Sequence, residues 1–370
     1  MAGAAPARGS CVKNRTDRLD PPMIPTRRSF LLGAAALGSL ALAACARLGP
    51  RFGQPPAPPG PPWLSEHGWD HPLTGRIWRP TGRRFVEAGE ALDQLAKADF
   101  VMLGEKHDNP DHHRLQAWTI AALAARGRRP AAAFEMLSAD QEAALETYLA
   151  AHPGDASGLG AAVDWDKSGW PAWDTYAAVF QAALDAGAPI LAANLARSTI
   201  QDVAKQGLKA LGSGRIGRLG LDQAMPDALQ SMMRQEIIEG HCDQLPATMI
   251  EPMVRAMTAR DAHMADVLIA GAGRPGRNGA VLITGTGHAR DDHGVPFHLR
   301  RLAPEARVVS LGFLEVDDLD EDPAAYAAHF GAEDLPFDLV WFTPLAERDD
   351  PCAAFAEQLR RAKERHKKER

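Results

Sequence analysis

The sequence has only four cysteines and three tyrosines among its 370 residues, and aromatic residues make up 6% of it. It also lacks an excess of positive charge, because 41 lysines and arginines stand against 47 aspartates and glutamates, giving a formal net charge of −6. This balance gives no basic surface of the kind that binds nucleic acid, and we expect no nucleic-acid partner. With 45% hydrophobic and 24% charged residues, the composition excludes collagen, coiled coil and wholesale disorder and predicts a globular protein.

Common catalytic signatures are also missing. No serine lies in a GxSxG turn, no P-loop motif for phosphate is present, and no HExxH zinc motif occurs. The sequence therefore gives no support to a serine hydrolase or a P-loop nucleotide enzyme. A metal site would have to be built from residues that are distant in sequence.

Residues 1–45 are typical of a bacterial export signal. A twin arginine at 27–28 is followed by Phe and Leu, and the apolar run over 31–44 carries no charge. That run is shorter than the about 20 apolar residues that a transmembrane helix needs. Because LAAC at 42–45 resembles a lipobox, we expect twin-arginine export and a periplasmic protein anchored to the membrane through lipidated Cys45. The alternative is a plain signal peptide in which this cysteine is incidental.

The composition changes along the rest of the chain. Residues 46–69 are rich in proline and glycine and predict an extended tether. Residues 70–355 have a globular composition, within which 222–272 is a helical insertion. Residues 356–370 are a charged tail.

Strand-length apolar runs alternate with amphipathic, alanine-rich and leucine-rich stretches. The runs cover 99–103, 131–134, 189–193 and 280–284, and two later runs, 306–313 and 337–342, can complete a sheet. Strands separated by helices predict an α/β fold with a mainly parallel sheet flanked by helices, connected by right-handed crossovers.

Polar side chains follow three of these strands. GEKH at 104–107 and GTGH at 285–288 each end an apolar run, and Glu135 ends a third. Because carboxyl ends of parallel strands share one edge of the sheet, where open α/β folds bind ligands, we expect Glu105, His107, Glu135 and His288 to meet there. Such a group can bind a metal, share a proton or hold a cofactor.

Several neighbouring residues have two open interpretations each. His112 and His113 begin the helix after GEKH, with Asn109 as its cap and Pro110 in its first turn, and at most one of the two histidines easily faces the site. Four further residues either reach the site or have an ordinary role in packing or at a helix terminus. These are Arg197, Arg260, Asp261 and Arg290.

Three tryptophans at 165, 170 and 173 are followed by Tyr176. Amphipathic aromatics of this kind cover flat apolar ligands, and they also fill cores. Both interpretations of Trp170 and Tyr176 stay open at this stage.

The cysteines indicate one disulfide. Cys11 would be lost with the signal and Cys45 acylated, which leaves Cys242 and Cys352 in an exported chain where disulfides persist. We expect them to pair, the alternative being two free thiols.

The motifs together resemble those of the ChaN-like haem-binding lipoprotein family, in the superfamily of the Tiki proteases and erythromycin esterase. The resemblance extends from about residue 70 to 352 and rests on long, ordered matches: LGEKHDNPDHHRLQ at 103–116, FEM at 134–136, the tryptophan segment, ANLAR at 193–197, ARDAHMA at 259–265 and GTGHARDDHGVP at 285–296.

The resemblance implies two functions. As a haem-binding protein of iron uptake, the chain would hold haem between two subunits of a dimer, with an axial Tyr or His, Arg197 or Arg290 near a propionate, and further contacts from His112, His113, Trp170 and Tyr176. As a hydrolase, it would use Glu105 or Glu135 as general base, while His107 and His288 stabilise charge or bind a divalent metal with these acids.

Overall fold

The computed structural model describes residues 54–317, 320–347 and 351–368, so the predicted export signal and Cys45 lie outside the described residues. The strands are β1 Ile77–Arg79, β2 Arg84–Val86, β3 Phe100–Glu105, β4 Ala131–Ser138, β5 Ile190–Asn194, β6 Ala280–Gly285, β7 Val308–Glu315 and β8 Leu339–Thr343. The α-helices are α1 Ala88–Lys97, α2 Pro110–Ala125, α3 Glu142–Ala151, α4 Leu159–Ala162, α5 Trp173–Asp185, α6 Arg197–Gln206, α7 Ser213–Arg218, α8 Asp227–Gly240, α9 Ala247–Ala272, α10 Thr286–Ala289, α11 Val295–Leu302 and α12 Pro351–Lys368. Short 3₁₀ helices cover Ala139–Gln141, Trp165–Lys167, Leu208–Leu211 and Ala325–Phe330.

The strands form one eight-stranded sheet in the order β2-β1-β8-β7-β3-β6-β4-β5. The six strands from β8 to β5 are parallel, and only β1 pairs antiparallel, with β2 and β8. The predicted α/β fold with a mainly parallel sheet is therefore confirmed.

The central strands are buried on both faces, as their continuous apolar runs predict. In β3, Val101 and Leu103 pack into a core that contains residues of α2 and α5, whereas Phe100 and Met102 pack into a second core with residues of α9 and α11. This alternation follows from the two-residue period of a strand. Two helical layers thus enclose the sheet and leave its carboxyl edge for the site.

The predicted helical insertion consists mainly of α8 and α9, and α9 belongs to the main fold. Met264, Ala265 and Leu268 of α9 lie fully buried in the second core, against β4 and β6. A helix that covers the sheet in this way places its residues 260 and 261 at the same edge as the strand ends. Among the described residues, none of the helices has the length and apolarity needed to cross a membrane.

The second half of the predicted tether lies along α2. The backbone amides of Leu64 and Ser65 donate to the carboxylate of Asp111, at 2.8–3.1 Å. Trp118 Nε1 donates to the carbonyl oxygen of Pro56 at 2.8 Å, two turns further along the helix. Residues 56–65 therefore form part of the folded surface.

The structure contains the predicted disulfide. Cys242, which follows α8, is bonded to Cys352 in the first turn of α12, with their Cα atoms 5.5 Å apart. The bond ties the α8–α9 connection to the C-terminal helix across 110 residues of sequence.

Candidate functional site

Three strand ends bring the predicted acids and histidines together. Glu105 is the last residue of β3, and its neighbour in the parallel register is Gly285, the last residue of β6. Phe134 of β4 pairs with Ile283 of the same strand, so Glu135 extends beside Thr284. The short helix α10 then presents His288 at this edge.

Glu135 is buried, and both of its carboxylate oxygens accept hydrogen bonds. Its Oε1 accepts from Arg260 Nη2 at 2.5 Å, and its Oε2 accepts from the Thr284 hydroxyl at 2.6 Å and the Gly285 amide at 2.8 Å. Arg260 Nε also donates to Asn194 at 3.0 Å, which fixes the guanidinium. Burial would raise the pKa of Glu135, but the charges of His288 and Arg260 outweigh burial and hold it well below its usual value.

His288 lies between two carboxylates. Its Nδ1 is 2.5 Å from Asp261 Oδ1, and its Nε2 is 3.4 Å from Glu135 Oε1. Burial lowers the pKa of an imidazolium, but the charges of Glu135 and Asp261 outweigh burial and raise the pKa of His288 to about 9. At neutral pH His288 is therefore a buried cation and a proton donor.

Glu105 forms a second charged centre. Its Oε1 accepts from the Tyr176 hydroxyl at 2.5 Å and lies 2.9 Å from His107 Nδ1, and its Oε2 is 3.3 Å from His113 Nε2. Burial would raise the pKa of Glu105, but the charges and hydrogen bonds of His113 and His107 lower it to about 2. Burial, followed by the neighbouring carboxylate, raises the pKa of Tyr176, so its phenol stays protonated.

His107 is the histidine that faces open space. About a third of its side chain (34%) is exposed, and its ring lies edge-to-face on Trp170, with centroids 4.7 Å apart. Nε2 has no hydrogen-bond partner among the described residues, while Nδ1 is held by Glu105. A Cβ at position 285 would lie 3.0 Å from this Nε2, so the glycine there makes room for the ring.

Both centres open into one cleft of about 740 Å³, here called the main cleft. It is lined by Glu105, Lys106, His107, Glu135, Trp170, Gly240, Met257, Arg260, Gly285, Thr286, Gly287, His288, Phe313, Leu314, Glu315, Tyr326, His329 and Phe330. The acids and histidines form its floor, and aromatic and aliphatic side chains form its walls. Its volume lies within the roughly 300–1,000 Å³ of small-molecule and cofactor sites.

The other predicted site residues lie elsewhere. His112 is buried away from the cleft, with Nε2 2.8 Å from the Thr343 hydroxyl, and burial lowers its pKa to about 3. His113 packs behind Glu105, its ring centroid 4.1 Å from that of Tyr176. Arg290 is fully buried and pairs with Asp292 at 2.7 Å. None of these three lines the main cleft.

In the tryptophan segment, some aromatic residues fill the core and one lines the cleft. Trp165 is 1% exposed, and Trp173, Tyr176 and Phe180 surround it, so it fills the core. Trp170, on the loop before α5, lines the main cleft. Tyr176 lies beneath Glu105 and supports it from the core side.

No sequence motif marked the wall residues contributed by β7 and the 3₁₀ helix that follows it. Phe313 and Glu315 end β7, and Tyr326, His329 and Phe330 belong to the 3₁₀ helix after it. The strand itself was predicted near 306–313, and the rule that strand ends meet at one edge would have included its last residues. The 3₁₀ helix carries no motif that marks it.

The described residues contain no group of three or more His, Cys, Asp or Glu side chains placed to hold a metal ion. Glu135 is instead neutralised by Arg260 and His288, while Glu105 accepts from the Tyr176 hydroxyl and lies 2.9 Å from His107 Nδ1. The predicted divalent metal at Glu105, His107, Glu135 and His288 is therefore unsupported.

Haem, in contrast, fits the residues that are present. A metal-binding histidine usually has its second ring nitrogen held by a carboxylate or carbonyl, as Glu105 holds His107 Nδ1. The ring lies in a cleft whose walls include Phe313, Trp170 and Phe330, which suit a flat apolar ligand. His107 would bind the iron, which supplies the ligand-binding and redox chemistry of the bound group.

Fold and site together define an α/β protein with a buried Glu/His centre in a ligand-sized cleft at the carboxyl edge of its sheet. A family model described as "Haem-binding uptake, Tiki superfamily, ChaN" matches residues 91–299. The chain belongs to this ChaN family.

One solved structure shares this fold, and two others are reported as more distant similarities. A structure that describes cofacial haem binding to ChaN of Campylobacter jejuni is 22% identical, with a TM-score of 0.55, covering 72% of this chain and 95% of that chain. An erythromycin esterase, EreC, in its open conformation is 14% identical, with a TM-score of 0.41 and coverage of 75% and 99%. The type III effector HopBA1 is 13% identical, with a TM-score of 0.38 and coverage of 69% and 91%. No curated protein sequence matches the chain.

Proposed function

We propose that the protein binds haem in the main cleft and serves haem uptake from the periplasmic side of a membrane, to which lipidated Cys45 anchors it. The observation that carries haem binding is the pairing of His107 with Glu105 at the mouth of an aromatic cleft. Family membership and the similarity to Campylobacter jejuni ChaN support the proposal, and the LAAC sequence at 42–45 supports the anchor.

Of the residues that line the cleft, His107 is the one best placed to hold the haem iron. His288 is held as a cation by two carboxylates, and the hydroxyl of Tyr326 is 2.6 Å from the amide of Asp317. His329 also lines the cleft and is the next candidate, but its Nε2 lies 3.6 Å from Asp317 Oδ2. The carboxylate of Glu105 orients His107 and increases its basicity as a ligand.

Titration of the soluble protein, expressed from residue 46, with haemin is expected to give a saturable shift of the Soret band. His107→Ala should abolish or move this band, whereas His152→Ala, which removes an exposed histidine outside the cleft, should leave it unchanged. Burial lowers the pKa of His107, but the hydrogen bond to Glu105 outweighs burial and raises it. Only the unprotonated Nε2 binds iron, so haemin affinity should increase as the pH rises through this pKa.

A wild-type spectrum no different from that of haemin with an unrelated protein would refute haem binding. An unchanged spectrum of His107→Ala would refute only the choice of ligand and direct attention to His329. Sedimentation of the loaded protein would show whether haem joins two subunits, as the family resemblance implies.

The second candidate function is acid–base hydrolysis, and the chain of Asp261, His288 and Glu135 favours it. His288 is protonated and forms part of the cleft floor, where it can donate a proton to a leaving group. Glu135 is a weak base because all its hydrogen-bond partners stabilise the charged carboxylate over the protonated acid. The geometry therefore favours His107, with its free Nε2, as the base that takes a proton from water.

Hydrolysis is tested with the purified protein on a panel of p-nitrophenyl esters and fluorogenic peptides. If any is cleaved, His288→Asn should reduce turnover by about 10²–10⁴-fold, the usual contribution of one acid–base group. Glu146→Gln, which changes an exposed acid of α3, serves as the control. Turnover that survives in the His288 variant would remove this residue from the mechanism.

A further inference from the structure

The disulfide between Cys242 and Cys352 lies beside the main cleft. Gly240, the last residue of α8, lines the cleft, and Cys242 follows it after a single residue. The bond therefore fixes the backbone immediately beyond a point on the cleft wall. A displacement of Cys242 would also displace that part of the wall.

Three contacts join α12 to the connection between α8 and α9. The disulfide is the first of them. The ring of His241 packs edge-to-face against Phe355, with centroids 5.3 Å apart, and Gln244 Nε2 donates to the carbonyl oxygen of Cys352 at 3.5 Å. Because this hydrogen bond is long and exposed and the two rings are only half-buried, the covalent bond is the strongest of the three links.

The backbone at the disulfide is strained. Cys242 and Asp243 have φ values of 57° and 55°, in the left-handed region that residues other than glycine adopt at a cost in energy. Their amides donate to the carbonyl oxygens of Glu239 and Ile238, at 2.8 Å and 3.0 Å. Two strained residues in succession persist only where the surrounding structure holds them. Opening the disulfide removes one of the links that hold this turn.

The middle of α8 is attached independently of the disulfide. Met233 and Ile237 are buried, on a helix that packs against α9. Glu236 Oε2 lies 3.2 Å from His293 Nε2 and 3.6 Å from Arg290 Nη1, both in the segment after α10. Opening the disulfide should therefore release the last turn of α8 and the connection after it, while the rest of the helix stays in place.

The disulfide is placed where a reductant can reach it. Both cysteines are half-buried, outside the two cores that enclose the sheet. A dithiol opens such a bond by exchange: its first thiolate attacks one sulfur and forms a mixed disulfide, and its second thiolate displaces the cysteine. The protein gains two electrons and two protons as two thiols, and the reductant loses the same number and closes as a disulfide.

We propose that the Cys242–Cys352 disulfide is a redox-sensitive latch on the main cleft. In the oxidised protein it holds Gly240 in the cleft wall, and its reduction by a dithiol loosens the end of α8 and lowers the affinity for the ligand. This inference goes beyond the proposed function, because it concerns control of the cleft and applies to any ligand bound there.

The test uses the soluble protein expressed from residue 46, in which Cys242 and Cys352 are the two remaining cysteines. Protein reduced with dithiothreitol, alkylated with iodoacetamide and freed of both reagents is compared with oxidised protein. Reduction should raise the Kd for haemin about fivefold, as expected if the wall is in place in about a fifth of the molecules. It should also speed amide hydrogen exchange over residues 238–246 and leave β3 and β6 unchanged. Near-UV circular dichroism verifies that the reduced protein stays folded.

The matched variant combines Cys242→Ser with Cys352→Ser. It removes the bond without adding alkyl groups, so it should reproduce both effects of reduction. Dithiothreitol treatment, followed by removal of the reagent, should change neither its haemin affinity nor its exchange. A double variant that keeps the affinity and exchange of the oxidised protein would contradict the latch.

The remaining outcomes separate the latch from haem binding. Equal haemin affinity and equal exchange in the two redox forms would refute the latch while haem binding stands. Faster exchange over residues 238–246 with unchanged haemin affinity would make the disulfide a structural bond only, which also refutes the latch. If oxidised protein does not bind haemin, the proposed function fails, and exchange over 238–246 decides the inference: faster exchange on reduction supports the latch, and equal exchange refutes it.

Discussion

Glu135→Gln is expected to lower the free energy of unfolding by about 3–5 kcal/mol at neutral pH, the usual cost of removing one partner from a buried ion pair. The carboxylate is 2% exposed and neutralises Arg260 and protonated His288. A neutral amide would leave the buried imidazolium of His288 and the half-buried guanidinium of Arg260 with less compensating charge. Urea unfolding at pH 7 measures the change, and Glu146→Gln, at an exposed position, should stay within about 0.5 kcal/mol of wild type.

The same variant should change the pH dependence of stability. His288 has a pKa of about 9 in the fold, above its ordinary value of 6.5, so its protonation stabilises the fold fully below pH 6.5. This contribution is lost as the pH rises through 9. Without the charge of Glu135 the pKa of His288 falls, and the alkaline loss should shrink. Equal stability of variant and wild type from pH 6 to pH 10 would contradict the charged centre described above.

Trp165→Ala is expected to cost about 3–5 kcal/mol of stability, because it empties the space of a large aromatic side chain in the core. Trp165 contacts the rings of Trp173, Tyr176 and Phe180, and its Nε1 donates to Pro171 at 2.8 Å. Since Tyr176 supports Glu105, haemin binding by any folded fraction should also weaken. Thermal or urea unfolding, read with near-UV circular dichroism, measures the loss.

Trp170→Ala is the matched comparison for this prediction. Its side chain is only half-buried and lines the main cleft, so stability should fall by less than about 1 kcal/mol while haemin binding weakens. The two tryptophans would then separate core filling from ligand contact. Similar stability losses in both variants, with haemin affinity unchanged in Trp170→Ala, would assign the whole segment to the core.

The sequence predicted the sheet well because its central strands are continuous apolar runs. The polar residues that end or follow these runs predicted the meeting of Glu105, Glu135 and His288, since parallel strands share an edge. Asn109 and Pro110 also begin α2 as expected, with Asn109 Oδ1 accepting from the amide of Asp111 at 2.9 Å.

The pattern of residues along the sequence could not by itself predict which side chains face the cleft. His107 and His113 flank the same turn, yet one faces the cleft and the other packs against Tyr176, because the direction of a side chain depends on the turn and the helix that follow. Arg197 does not line the main cleft, because it is exposed at the start of α6, which packs against α9. No sequence signal in α9 linked Asp261 to His288. Such contacts join residues far apart in sequence and arise only on folding.

The hydrogen bonds along α2 limit the distance between the protein and a membrane. With lipidation at Cys45 as proposed, only residues 46–55 separate the anchor from Pro56, which is held by Trp118. Ten residues span at most about 35 Å. The domain would therefore remain within about 35 Å of the lipidated residue, whatever its orientation.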